Sequence, residues 1–335
     1  MAHELEVVDG QAQMFSVKAV PWHGLGTILN APPTIEEGIR CAGLDWEVER
    51  QQMFLSDGAL IPGAYATVRS TDKKVLGVVG PSYKPVQNRA AFEWFQPFID
   101  QGLATLETAG SLRGGSRVWV MAKINRDPVE VVPGDPILLY ALLSNSHDGT
   151  LCLRAGFTGT RVVCSNTLSI AHGDAQSKLL RIRHTMKVDE ALQQVREVMN
   201  LAEGNFLATA EQFRALARKQ VSSEDLKEYV RLVFKPRPVS DNETPAGQDA
   251  DEAVYVAEEK ADRLYGWIQP LFERGRGNDM KGVRGTAWAA YNSVTEYITH
   301  VRGRDPAVRL DNAWFGEGQR LSMRAYRAAM KMAAA

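Results

Sequence analysis

The apolar residues of this chain change their period once, and that change limits what it can fold into. Up to about residue 165, the stretches 46–55, 64–70, 75–79, 104–108, 117–124, 137–145, 151–157 and 160–164 alternate or are β-branched between turn residues. That is how half-buried antiparallel strands read. From Thr185 the spacing becomes three and four: Val188, Leu192, Val195, Met199, Ala202, Phe206, Ala210, Phe213 and Ala217 fall on one seam. Such a seam predicts a long amphipathic helix. Strands first and helices after give an α+β fold: an antiparallel sheet with helices on one face, a long helical arm and a helical carboxy-terminal block. The expected division is an α+β core domain over 1–185, the arm over 186–235, an acidic flexible linker over 236–251 and a basic helical block over 252–335 with room to pack back on the core.

Local signals punctuate this plan. Thr34 with Glu37 is a capping box for a short helix that Gly43 ends, and Ser222 with Asp225 starts another that stops before Pro236. Asn88 is placed to cap the aromatic helix AAFEWFQPFIDQ, which Pro97 should end or kink. The run Ala109 to Gly115 reads as a glycine-rich hairpin loop, without the spacing of a nucleotide fingerprint. Asp148-Gly149 favours a primed hairpin turn. Asn166 should cap a short helix ending near Gly173, whose first turn could receive an anion.

The 335 residues are 44% apolar and 24% charged, the composition of a globular chain. A net charge of −1 removes any general argument for a polyanionic partner, so such a case must rest on local asymmetry. The asymmetry is there: between 151 and 188 six Lys and Arg face only Asp174, whereas between 239 and 262 eight acids face only Lys260. Three cysteines, Cys41, Cys152 and Cys164, are an odd number at unrelated spacings, which fits a reducing compartment and leads us to expect a cytoplasmic protein. The polar, acidic amino terminus reads as neither a signal nor a transit peptide, and no apolar run approaches membrane-spanning length.

Several motifs carry a resemblance: Trp22-His23-Gly24-Leu25-Gly26-Thr27, Tyr83-Lys84-Pro85-Val86-Gln87-Asn88, Ala109 to Gly115, Ser144-Asn145-Ser146-His147-Asp148-Gly149, Arg161 to Leu168, and His184-Thr185. With Gly285-Thr286-Ala287-Trp288 and Asn312 to Gly316, they make the chain resemble a phage- and plasmid-like family classed as a domain of unknown function (932 type). The resemblance implies mobile-element biology, a cell interior and traffic with DNA. It supplies no catalytic residues.

The residues themselves rank the chemistries. Ser146, His147 and Asp148 are adjacent, whereas a triad is built from residues distant in sequence, so a hydrogen-bonded turn is the favoured reading there. If the chain is an enzyme, its chemistry centres on Cys164 with His184 or His147. No metal is expected, because Cys152, Cys164, His147 and His184 lack ligand spacing. Arg154, Arg161, Arg181 and Arg183 lie on or beside strands, with Asn166 near them and Arg113 and Arg117 bordering the glycine hairpin. These seven would grip phosphates, with Trp119 or Tyr140 as stacking platforms. The bland alternative is that these arginines pair with the acidic segment at 239–262.

The expected protein is therefore a non-catalytic single-stranded-DNA-binding or annealing-type factor of a mobile element, homo-oligomeric and without a cofactor. The competing expectation is an inhibitor or decoy of a host defence protein, acting through contact with a host or phage protein. A cysteine-dependent enzyme comes third.

Overall fold

A computed structural model describes residues 5–18, 26–161, 166–168, 180–184, 206–234, 250–303 and 317–335. The chain enters through a short ribbon, β1 (Val7–Val8) and β2 (Gln11–Ala12), and then lays down β3 (Met14–Val17) and β4 (Thr27–Leu29). Helix α1 (Ile35–Cys41) follows. Thr34 and Glu37 close the expected capping box, each side chain meeting the other residue's backbone N–H. A separate antiparallel sheet comes next, β5 (Val48–Phe54), β6 (Leu60–Arg69) and β7 (Val75–Val79).

The aromatic helix that follows is broken in two, α2 (Asn88–Glu93) and α3 (Gln96–Asp100), because Pro97 has no N–H to continue the ladder. After it run β8 (Ala104–Leu112), β9 (Arg117–Ile124), β10 (Val129–Glu130), β11 (Pro136–Ser146), β12 (Leu153–Arg161), β13 (Asn166–Leu168) and β14 (Leu180–Ile182). They build the large sheet in the order β13–β12–β11–β9–β8–β3–β4. Only the β3–β4 pair is parallel among the described strands, and β14 pairs with β12 on the same side as β13.

Past the strands come α4 (206–218), α5 (Ser223–Phe234), α6 (Ala250–Arg274), α7 (Ala287–Glu296) and α8 (Glu317–Ala334). Ser222 and Asp225 cap α5 as their spacing predicts. Thr286 caps α7 by accepting from the Ala289 N–H, and α7 is buried on every side. No described helix is long and apolar enough to cross a membrane.

Both helical groups cover one face of the large sheet. Ala141 and Leu143 of β11 pack with α1, α2 and α3, while Ile137 and Leu139, two and four positions earlier and so on the same face, pack with α4 to α8. Ile124 and Phe157 touch both clusters and join them. The described part of the predicted arm, 206–234, lies inside this second core: Phe206, Ala210, Phe213 and Leu216 are buried against Trp288 and Tyr291 of α7. The carboxy-terminal helices likewise rest on the sheet through Val129, Val131, Ile137 and Leu139. The linker at 236–251 falls almost wholly outside the described residues.

Three local expectations are corrected. Asn88 does not cap α2; Gln87 occupies that position without a capping bond from its side chain, which is paired to Val48 instead, and Asn88 is fully buried with other partners. Asn166 begins no helix, since Asn166–Leu168 is a strand paired to β12. The glycine hairpin turns at Arg113–Gly115 rather than from Ala109. Gly110 is a strand position whose missing side chain makes room for the Trp119 indole, 2.7 Å from where a Cβ would sit.

Candidate functional site

The turn between β11 and β12 is longer than the two residues that Asp148-Gly149 suggests, because residues 147–152 all lie outside the strands. Its shape comes from one carboxylate oxygen. Asp148 Oδ1 accepts from Ser146 Oγ, from the Thr150 N–H at 2.9 Å and from Thr150 Oγ1 at 2.6 Å. Ser146 is thereby a turn-forming hydroxyl, which disposes of a serine nucleophile. Burial works against the Asp148 charge, but these hydrogen bonds and the Arg117 guanidinium hold its carboxyl below the usual range. The loop is pinned from the other side too. A Cβ on Gly77 of β7 would stand 2.4 Å from Asp148 Cα.

Beneath the loop lies a buried histidine. Its backbone is fixed twice: the His147 N–H donates to Ser116 O at 2.7 Å, and Thr67 Oγ1 donates to His147 O at 2.7 Å. Its ring meets Asn88. The Asn88 amide donates to Leu44 O and Trp46 O, so its Oδ1 can only accept, and His147 Nε2, 3.0 Å away, must carry the proton. His147 Nδ1 then has no hydrogen bond and no solvent. Desolvation, with the nearby His184 and Arg69, pushes its pKa down to about 3 despite the opposing charge of Asp148. His147 stays neutral and sealed.

His184 forms the next layer. Its Nδ1 lies 3.3 Å from Lys84 O, and its backbone carbonyl accepts from the Lys84 N–H at 3.1 Å. The ring stacks on Tyr83 with centroids 4.7 Å apart, and burial lowers its pKa. Tyr83 donates to Ser146 O at 2.7 Å; burial, aided by the Asp148 charge, pushes its phenol well up. Asn145 Nδ2 reaches Val86 O at 3.0 Å. The motifs Tyr83 to Asn88, Ser144 to Gly149 and His184 thus meet in one place, held by hydrogen bonds that span 59 and 100 residues of sequence. Against them opens a cleft of about 420 Å³, lined by Val78, Val79, Gly80, Ser82, Tyr83, the loop from Asp148 to Cys152, Arg183 and His184.

The seven residues expected to bind nucleic acid divide by place. Arg117 is buried and turns its Nη2 to Thr150 Oγ1 at 3.4 Å, so it braces the loop. Arg113 is exposed on the neighbouring turn, in the left-handed conformation with φ 52°. The other five gather at one sheet edge. Arg154 and Arg161 lie on β12, Arg181 of β14 stands opposite Arg154, and Asn166 of β13 stands opposite Arg161. Arg183 follows β14 and is exposed on the cleft. Arg154 Nη1 also reaches Gln319 of α8 at 3.5 Å.

Trp119 and Tyr140 are not platforms. They are 1% and 7% exposed; Trp119 sits in a small cluster with Leu5, Met14 and Leu112, so neither can stack on a base. Of the acidic segment, Asp262 pairs with Lys227 of α5 at 3.3 Å rather than with the edge arginines. Cys164 lies outside the described residues, and among those described no cluster of His, Cys, Asp or Glu could hold a metal ion.

Sequence reasoning missed Asn88 and Tyr83 as parts of this site. Both sit in a motif already visible in the chain, and a histidine destined for burial requires a fixed partner. A family model described as Domain of unknown function (DUF932) matches residues 75–324. No curated protein and no solved structure matches the chain.

Proposed function

The chain belongs to the DUF932 family, and from that premise we propose that it binds single-stranded DNA along the outer edge of its large sheet, as a non-catalytic, annealing-type factor of a mobile element. The observation that carries this reading is the register of β12 with its two outer partners, which gathers Arg154, Arg161, Arg181 and Asn166 and runs out to the exposed Arg183. Arg154 and Arg161 are seven residues apart, or about 23 Å of strand. That odd spacing puts the two positions on opposite faces of the sheet, so the phosphodiester backbone would run over the sheet edge, within reach of the facing pair Arg154 and Arg181 and of Arg161, and Arg is the side chain whose planar fork suits phosphate. Arg117, committed to the loop, falls out of the set. Arg113 stays in it, since its turn is joined to the cleft through Ser116 and His147. Annealing calls for several copies on one strand, so the reading includes self-association in a cell interior.

Binding of a labelled single strand across a salt series tests it. If Arg154, Arg161, Arg181 and Arg183 each neutralise one phosphate, the plot of log affinity against log salt has a slope of about −3. Arg183→Ala makes the slope shallower by about 0.7. Absence of binding at low salt overturns the proposal.

A further inference from the structure

The cleft beside the β11–β12 loop is lined by two charged side chains, Arg183 and Asp148. Among the described residues, Arg183 is exposed and makes no hydrogen bond or ion pair. Asp148 lines the same cleft, and every hydrogen bond that it accepts among the described residues falls on Oδ1. Its Oδ2 accepts none among the described residues, and the side chain is half-buried. The same lining includes the apolar side chains of Val78, Val79 and Leu151 and the stacked rings of Tyr83 and His184. The volume, about 420 Å³, is within the range of pockets that bury a small ligand. Asp148 cannot swing away, because three donors hold Oδ1 and the β7 backbone at Gly77 abuts its Cα. A carboxylate oxygen fixed in this way can accept a hydrogen bond and nothing else.

We propose that this cleft seats one nucleotide of the bound strand, its phosphate on Arg183 and its base edge on Asp148 Oδ2, and so selects bases that offer an exocyclic amino group over thymine. The inference rests on the preceding reading that the chain binds single-stranded DNA, and deepens it by naming which bases the site takes. Cytosine and adenine each present an N–H donor at the position where thymine presents a carbonyl oxygen. Thymine's one ring donor, N3–H, is flanked by two carbonyl oxygens that meet the carboxylate acceptor to acceptor, so its contact is the weaker one. Guanine offers donors on another edge and is accepted as well.

Competition with pyrimidine 12-mers isolates the effect, because sequence preferences of single-strand binders otherwise follow stacking strength. The full chain is loaded with a labelled mixed-sequence strand at low salt and displaced by oligo-dC or oligo-dT. Oligo-dC is expected to compete at about five- to tenfold lower concentration, the low end for one base contact. Asp148→Asn places an amide donor where Oδ2 was, and should move the preference toward oligo-dT while leaving the salt slope unchanged. Arg183→Ala should weaken both competitors equally. Equal competition by the two strands against the unaltered chain overturns this inference and leaves strand binding intact; no binding of any strand overturns both. Should Asp148→Asn fail to fold, the comparison on the unaltered chain decides alone.

Discussion

Replacing His147 by Gln removes a ring that the fold cannot protonate while keeping an N–H donor toward Asn88 Oδ1, and the consequence is read in the pH dependence of stability. In the unfolded chain the imidazole titrates near 6.5; in the fold its pKa is about 3. Below about pH 6.5 the unfolded state therefore takes up a proton that the folded state refuses. Stability falls as the pH drops, by about 1.4 kcal/mol per unit, until the folded pKa is passed. Between pH 6.5 and 4.5 the loss from His147 is about 2 kcal/mol. His184, also lowered by burial, adds in the same direction. Glu107, raised by burial against the charges of Lys123 and Lys18, works in the opposite sense by holding its proton more firmly when folded. Glu37 and Asp225, lowered by their capping bonds, lose their contribution only at lower pH. Urea melts followed by tryptophan fluorescence at several pH values over this window measure the slope. His147→Gln should be less stable at pH 7, because a flexible amide fills a site shaped for a ring. Its stability should nevertheless fall by about 2 kcal/mol less on acidification. Parallel slopes for the two proteins would refute the reasoning that places a neutral, sealed imidazole under the loop.

Two further substitutions probe the supports of the site. Gly77→Ala forces a methyl group to within 2.4 Å of Asp148 Cα; backbone must shift, and a loss of about 1–3 kcal/mol in a urea melt is expected, with faster amide exchange over 147–152. Glu6→Gln breaks the buried pair with Arg69, whose Nη2 lies 2.5 Å from Glu6 Oε1, while Lys74 stands 3.7 Å away. About 3 kcal/mol should be lost by the same measurement, since a guanidinium is left short of its counter-charge, although Gly114 O still accepts from it at 2.7 Å.

Much of the fold is legible in the sequence because it is written locally. The strands at 75–79 and 117–124 appear with the bounds their alternation predicts, and the boxes at Thr34 and Ser222 start helices as their spacing requires. What is not legible depends on partners far along the chain. Asn88 stands where a helix cap belongs, but the carbonyls of Leu44 and Trp46 and the ring of His147 claim it, and no neighbouring residue signals that. Asn166 carries a capping side chain, yet the free edge of β12 offers its segment a ladder instead. Trp119 is available as a platform on a sheet face until the cluster over Gly110 is assembled. The gathering of Arg154, Arg161 and Arg181 is foreshadowed by local charge; their placement on one edge is a matter of sheet order, which charge does not encode.

The central claim concerns where a strand would lie, and hydrogen–deuterium exchange with and without a saturating single-stranded oligonucleotide addresses it directly. Protection is expected to concentrate in peptides covering 153–161 and 180–184, with a smaller effect at 147–152. Protection confined to α8 or to the three-stranded sheet, with the β12 edge unchanged, would contradict it.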